Sequence, residues 1–150
     1  MNFAVALSVE YSAFSHATED QDKVLKAVEN LVPPRLRGRG ELAVEDTLGH
    51  HQNPIRIFKV SFRNPEQAMQ ALSWLLGGLP GTDRERLIES VDLHLDEKLK
   101  LYMRLDKQEA YLGRFKLASG DDVVKVKFSF KGSREAVRQL LERLSGEALG

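Results

Sequence analysis

Between Leu99 and Gly113 the chain carries Lys100, Tyr102 and Arg104 at alternate positions, followed at once by Asp106, Lys107, Gln108, Glu109 and Tyr111. Period-two alternation puts Leu99, Leu101, Met103 and Leu105 on one face of a strand and the two cations with the tyrosine on the other. Lysine and arginine attract phosphates in a salt-dependent way, and a tyrosine ring can stack on an unpaired base. Lys125 and Lys127 alternate in the same manner against Val124, Val126, Phe128 and Phe130, so a second strand could widen that cationic face. The same lysines would also suit a face that meets only water, because charged residues guard strands against aggregation.

Three further groups carry polar chemistry. Arg35, Arg37 and Arg39 interleave with Gly38 and Gly40, and their forked donors on a flexible loop would match phosphate oxygens. His50 and His51 stand with Asn53 in the turn Gly49–Ile55, where they could donate hydrogen bonds, titrate near neutrality or hold a metal. Adjacent histidines do not form the i, i+4 pair of a zinc-protease helix, and no third ligand stands at a diagnostic spacing. His16, Glu19, Asp20 and Asp106 are the distant partners that a metal-assisted phosphodiesterase built on His50 would need. Thr18, Glu19 and Asp20 suit the start of a helix, which leaves His16 without a structural duty. The chain has no cysteine, Walker loop, dinucleotide fingerprint or nucleophile elbow, so catalysis is not expected.

The elements that must position these residues follow from periodicity and stop signals. Residues 2–11 alternate Phe3, Val5, Leu7, Val9 and Tyr11 against smaller or polar neighbours and predict a strand. Thr18 and Gln21 make a capping box for a helix whose face is Val24, Leu25, Val28 and Leu31, stopped by Pro33-Pro34. Strands are predicted at Glu41–Thr47 and Ile55–Phe62. Asn64-Pro65 opens a helix that Gly77-Gly78 ends, and Thr82 with Glu85 caps a short one. The strand at 99–105 leads to a turn over 106–112 that Asp106 would cap. A short strand near 114–118, the strand at 124–130 and a final helix over 133–145, capped by Ser133 and ended by Gly146, complete the chain. This order predicts an α+β two-layer sandwich, with a mostly antiparallel sheet and helices packed on one face.

With 150 residues, 42% hydrophobic and 29% charged, the composition fits one globular domain with a substantial core. No apolar run approaches a membrane span, and the amino terminus lacks the basic start of a signal peptide, so a cytoplasmic protein is expected. Formal net charge is zero, yet residues 31–63 and 98–131 together sum to +8 while 1–30 and 64–97 carry −3 and −5. Cations thus concentrate on predicted strands and loops, and carboxylates on helices. Helix dipoles account for part of this; a molecule with one face for a polyanion accounts for the same pattern.

Three segments taken together resemble an archaeal family of RNA-binding proteins. They are His16–Asp20 with Lys23–Ala27 and Asn30–Pro33, then Gly49–Ile55, and finally Leu101–Gln108 through Tyr111–Gly113 and Asp121-Asp122. The family pattern has an aromatic and then a glycine where this chain has His51 and Gln52. The resemblance implies a fold like that of double-stranded-RNA-binding domains, similar also to a ribosomal protein with a two-layer sandwich. It further implies RNA as partner, single- or double-stranded, with the exosome or other RNA-processing subunits as associates. The resulting expectation is a non-catalytic accessory factor without cofactor or metal. Arg104, Lys107, Lys100 and Tyr102 would meet RNA, with His50, Asn53 and His16 nearby and Arg35, Arg37 and Arg39 as secondary phosphate contacts. The alternatives are the phosphodiesterase and a scaffold whose sheet face binds protein.

Overall fold

The protein is described by a computed structural model covering residues 3–149. The elements run β1 (Val5–His16), α1 (Gln21–Leu31), a 3-10 turn (Pro34–Leu36), β2 (Glu41–Leu48), β3 (Pro54–Phe62), α2 (Pro65–Gly78), α3 (Gly81–Glu89) and α4 (Val91–His94). They continue with β4 (Lys100–Asp106), α5 (Lys107–Tyr111), β5 (Val123–Lys131) and α6 (Arg134–Leu149). The five strands form one sheet, ordered β2-β3-β1-β5-β4, in which every neighbouring pair is antiparallel. The expected α+β two-layer arrangement is the one found.

Alternation decides which face of the sheet each helix covers. Val9, Tyr11 and Ala13 of β1, Phe58, Val60 and Phe62 of β3, Leu101, Met103 and Leu105 of β4 and Val124, Val126, Phe128 and Phe130 of β5 all bury on one side. Ala68, Leu72, Leu75 and Leu76 of α2, Val137, Leu140 and Leu141 of α6, and Val24, Val28 and Leu31 of α1 close that side into one core. Each fully buried Leu or Val contributes roughly 1.5–3 kcal/mol relative to exposure. The other side of the sheet carries mostly polar, partly or fully exposed residues at the alternate positions, with the half-buried Phe14, Ile55 and Ile57 among them.

Several boundaries depart from the sequence expectations, each for a local reason. The first strand extends to His16 rather than stopping at Tyr11, and Asn2 lies outside the described residues. A register shift between Ala6 and Ser8 turns Leu7 outward, 37% exposed, and brings Ala6 into the core. Asp20, not Thr18, caps α1, its carboxylate accepting the Asp22 N–H at 2.9 Å. Asn64 caps α2 as expected, accepting from the Gln67 N–H at 3.2 Å, but α3 starts at Gly81 behind Pro80 with no side-chain cap. Its Thr82–Glu85 box is not used. The last helix passes through Gly146 to Leu149.

The segment 114–118 is not a strand. It touches β4 through one bridge, Leu105 to Leu117, flanked by hydrogen bonds from Asp106 N–H to the Lys116 carbonyl and from Ala118 N–H to the Arg104 carbonyl. Asp83, buried on α3, accepts the Leu117 N–H at 3.0 Å and ties the segment to the helical layer. The Leu117 N–H points away from β4, and Asp83 satisfies it where no further strand does.

Candidate nucleic-acid interface

The uncovered face of the sheet is where five of the residues singled out in the sequence meet: Lys100, Tyr102, Arg104, Lys125 and Lys127. Register places Tyr102 opposite Lys127, Arg104 opposite Lys125 and Lys100 opposite Ser129. On the next strand Lys125 lies opposite Ser12 and Lys127 opposite Glu10, while Ser12 also faces Lys59 of β3. A single row therefore runs Ala43, Lys59, Ser12, Lys125, Arg104 across all five strands. Directly opposed residues on antiparallel strands project to the same face, so the row presents three cations in line.

The cations of this face are not equally free. Lys59 lies 3.6 Å from Glu45, and Lys127 lies 3.9 Å from Glu10. Arg104 instead donates to the Gly120 carbonyl at 3.2 Å, and the Lys125 ammonium sits 5.5 Å from the centre of the Phe14 ring. Neither has a carboxylate within salt-bridge distance among the described residues, so their charge is left to solvent or to a ligand. Tyr102, 47% exposed, donates to Asp96 Oδ2 at 3.4 Å. Partial burial, then the charge and hydrogen bond of Asp96, raise its pKa, so the phenol stays neutral and its ring faces outward without added anionic charge. Asp96 itself is held below the usual carboxylate range, first by the Lys100 N–H and also by the Lys98 N–H, both donated to Oδ1 at 2.9 Å.

Phe14 was not singled out by sequence reasoning, because the first strand was expected to end three residues before it. The alternation of Ser12, Phe14 and His16 continues that of the earlier residues and was the signal available. Half-buried on the open face beside Lys125, Phe14 adds a second aromatic to the one at Tyr102.

Lys107 does not belong to this surface, contrary to the expectation from sequence. Its side chain is 4% exposed, and its ammonium donates to the Phe14 carbonyl at 3.0 Å, to Glu19 at 2.8 Å and to Asp122 at 3.0 Å. Its donors are committed inside the protein, where a phosphate would have to displace two carboxylates. Asp106 is the N-cap of α5, accepting the Glu109 N–H at 2.8 Å, as the sequence had suggested. Gln108 donates to the other oxygen of Asp122 at 3.2 Å. Partial burial alone would raise the Asp122 pKa, but hydrogen bonds from Lys107 and Gln108 and the charges of Lys107 and His16 hold it below the usual range.

The resembling segments therefore converge in part on an internal network. Glu19 accepts from the His16 N–H as well as from Lys107, so the end of β1, the start of α5 and the start of β5 are locked together. His16 also lines an open groove of about 560 Å³ with Gln21, Asp46, Pro54, Ile55 and Arg56. Arg56 is held there by Asp46 at 2.7 Å and by Gln21 at 3.1 Å. His50 is exposed at the tip of the β2–β3 hairpin, its ring edge-on to His51 at 5.1 Å. Asn53 closes that tip: its carbonyl accepts the Gly49 N–H at 2.7 Å, and its amide fills the space where a Cβ on Gly49 would lie.

The arginine loop is ordered rather than flexible, because Leu36 is buried and a 3-10 turn forms around it. Arg37 is spent on the end of α1, its Nε donating to the Glu29 and Val32 carbonyls at 2.9 and 3.0 Å. Arg35 lines a groove with Pro33, Met69 and Trp74 in the helical layer, across the molecule from the open sheet face. Arg39 is exposed on the loop leading into β2. Arg35 and Arg37 do not extend the cationic row.

The acids that a phosphodiesterase would need are likewise occupied: Asp106 caps α5 and Glu19 pairs with Lys107. Among the described residues no group of three or more histidine, aspartate or glutamate side chains could hold a metal ion. No described helix is long and apolar enough to cross a membrane.

A two-layer α+β protein whose sheet leaves an uncovered face with arginine and lysine free of carboxylates among the described residues, beside an exposed tyrosine and a half-buried phenylalanine, has the build of a nucleic-acid-binding module. The chain belongs to the RNA-binding family, whose model, described as "RNA binding", matches residues 8–130. It is 36% identical over 147 residues to an RNA-binding protein of Pyrococcus abyssi, covering 95% of this chain and 96% of that one. It is 38% identical over 126 residues to an uncharacterized protein of Methanocaldococcus jannaschii, covering 83% and 84% of the two chains. A crystal structure of a DUF54 protein from Archaeoglobus fulgidus superimposes with a TM-score of 0.78 at 32% identity, covering 93% of this chain and 99% of that one. A DUF54 protein from Methanothermobacter thermautotrophicus shares the fold, with a TM-score of 0.73 at 22% identity over 97% of this chain and 99% of that one.

Proposed function

We propose that this protein binds RNA without catalysis and does so through the open face of its sheet. The observation that carries the reading is the pair Arg104 and Lys125, adjacent across β4 and β5 and free of carboxylate partners, next to Tyr102 and Phe14. Cations that retain their charge draw the phosphate backbone, and flanking aromatic rings offer stacking area to unpaired bases. His16 and His50 lie toward the hairpin end of the molecule and serve as polar contacts beyond the row. A role as an accessory factor in RNA processing or degradation follows from this reading, with exosome subunits as the associates and a double-stranded-RNA-binding-like module as the fold type that the family resemblance implies.

The test is RNA affinity across a salt series for wild type and the Arg104→Ala, Lys125→Ala double variant, on single- and double-stranded probes. Loss of two phosphate contacts lowers the slope of log affinity against log salt by about 1.4 on a single strand and about 1.8 on a duplex. A double variant with wild-type affinity and slope would rule out this face as the binding surface.

A further inference from the structure

The cationic face does not end at β4, its outermost strand. Two bridges cover the outer edge of β4, Leu95 to Leu101 and Leu117 to Leu105, and a gap separates them. A groove of about 640 Å³ opens there. Its buried lining is apolar, Leu87 and Met103 being 2% and 3% exposed, and Leu93 and Leu117 add further apolar surface. Tyr102 and Arg104 line it too, which makes it continuous with the cationic row. Arg86 and His94 complete its charge. No aspartate or glutamate lines it, whereas the grooves beside His16 and Arg35 include Asp46 and Glu66. Among the described residues neither Arg86 nor Arg104 has a carboxylate within salt-bridge distance. Asp96, which accepts from the Tyr102 hydroxyl, is itself held by the Lys98 and Lys100 N–H groups. The backbone in the gap is open as well. The Lys100 and Arg104 carbonyls accept from the Asp96 and Ala118 N–H groups, so alternate residues of β4 direct their backbone groups to the outer edge. On that edge the Tyr102 carbonyl and the Arg104 N–H have no partner among the described residues.

From this we infer that the groove seats one unpaired nucleotide of an RNA strand whose neighbouring phosphates lie on the sheet, an inference that rests on RNA binding by the open face. A nucleotide joins a flat, largely apolar ring to a dense negative charge. The ring needs apolar walls with a few polar groups at its edge, and Leu93, Met103 and Leu117 supply the walls. The free Tyr102 carbonyl and Arg104 N–H supply an acceptor and a donor for the edge of a base. The phosphate needs cations that no carboxylate has claimed, which Arg86 and Arg104 are. Continuity with Tyr102 and Arg104 sets the order of contacts: the strand crosses the sheet, reaches β4 and turns one base into the gap. A base held in a duplex has its faces stacked and its edge paired, so it does not enter. The phosphates of either form can reach the sheet, and the groove adds a preference for unpaired RNA.

The test titrates the full chain with a single-stranded RNA oligonucleotide and with a duplex of the same sequence, for wild type, Leu93→Asn and Arg86→Ala. Both side chains are exposed, so both variants keep the circular-dichroism spectrum and thermal midpoint of wild type. Leu93→Asn lowers single-strand affinity about fivefold or more with an unchanged salt slope, and Arg86→Ala lowers that slope by about 0.7. Duplex affinity stays at the wild-type value in both. A single strand carrying thiouridine crosslinks under long-wave light to the peptides that hold Leu93 or Leu117. Losses that are equal on single strand and duplex, or absent on both, overturn the groove. Crosslinks confined to β1 and β5 overturn it too. In each of these cases the open-face reading stands if the Arg104→Ala, Lys125→Ala double variant still weakens binding. A glutamate-rich peptide that binds wild type as tightly as the RNA, and is lost in Arg86→Ala, also overturns it by making the groove a peptide site. A wild type that binds neither RNA form overturns both readings.

Discussion

Arg104 and Lys107 are three residues apart and chemically alike, and the structure gives them opposite roles. Arg104 still follows the alternation of β4 and points to the uncovered face; Lys107 is the first residue of α5 and turns inward. There it neutralises Glu19 and Asp122, groups 88 and 15 positions away in the chain. Such a pairing leaves no local trace, since a lysine after a strand reads as a surface cation. What the sequence did contain was Glu19 in the first of the resembling segments and Lys107 and Asp122 in the last. Lys107→Met keeps the length of the side chain but strands the Glu19 carboxylate and removes a donor from the Phe14 carbonyl. Because Glu19 and Asp122 keep part of their solvent, the loss is roughly 1–3 kcal/mol. Urea unfolding is expected to show that loss, while the salt slope of RNA binding by the folded variant stays at the wild-type value.

At the scale of elements, the strands were legible wherever strict alternation held, as in β4 and β5, because period two has only one reading against a one-sided core. β1 was misread at both ends: its bulge inverts the phase at Leu7, and the polar residues Ser12 and Ser15 hide its continuation to His16. The β2–β3 hairpin shows the same limit in its turn. Gln52 adopts φ of 63°, a left-handed conformation that disfavours residues with a Cβ, and this is the position where the family pattern has glycine. Gln52→Gly relieves about 1–2 kcal/mol of steric cost and restores about 0.5–1 kcal/mol of unfolded-chain entropy, a net gain of about 0–1.5 kcal/mol. Thermal unfolding should show a midpoint higher by up to a few degrees; a lower midpoint would mean that the Gln52 side chain contributes more than its backbone costs.

For the whole molecule, zero net charge conceals two basic regions that meet on the sheet only through Lys59. The 98–131 region supplies the sheet face, whereas Arg35 belongs to the helical layer beside Trp74 and Arg37 is bound to the end of α1. A single RNA strand lying on the sheet does not reach Arg35. Arg35→Ala is therefore expected to leave affinity and salt slope unchanged in the titration that the Arg104 and Lys125 substitutions disturb. A slope reduced as much by Arg35→Ala as by the sheet substitutions would move the binding surface to the helical layer.

The sequence alone determined the α+β class, the burial of Leu101, Met103 and Leu105, and the capping duty of Asp106 and Asn64. These depend on periodicity and on contacts within four residues. It also marked Lys100, Tyr102 and Arg104 as sharing one face. Alternation offered Lys125 as a possible addition to that face, and the pairing of β4 with β5 brought it there. The tertiary structure alone decided that Phe14 joins them, that Lys107 and Arg37 are withdrawn, and that β2 is left as an unpaired edge. Each of those outcomes depends on which strands become neighbours and which distant carboxylate or carbonyl reaches a cation first, and local spacing carries no information about either.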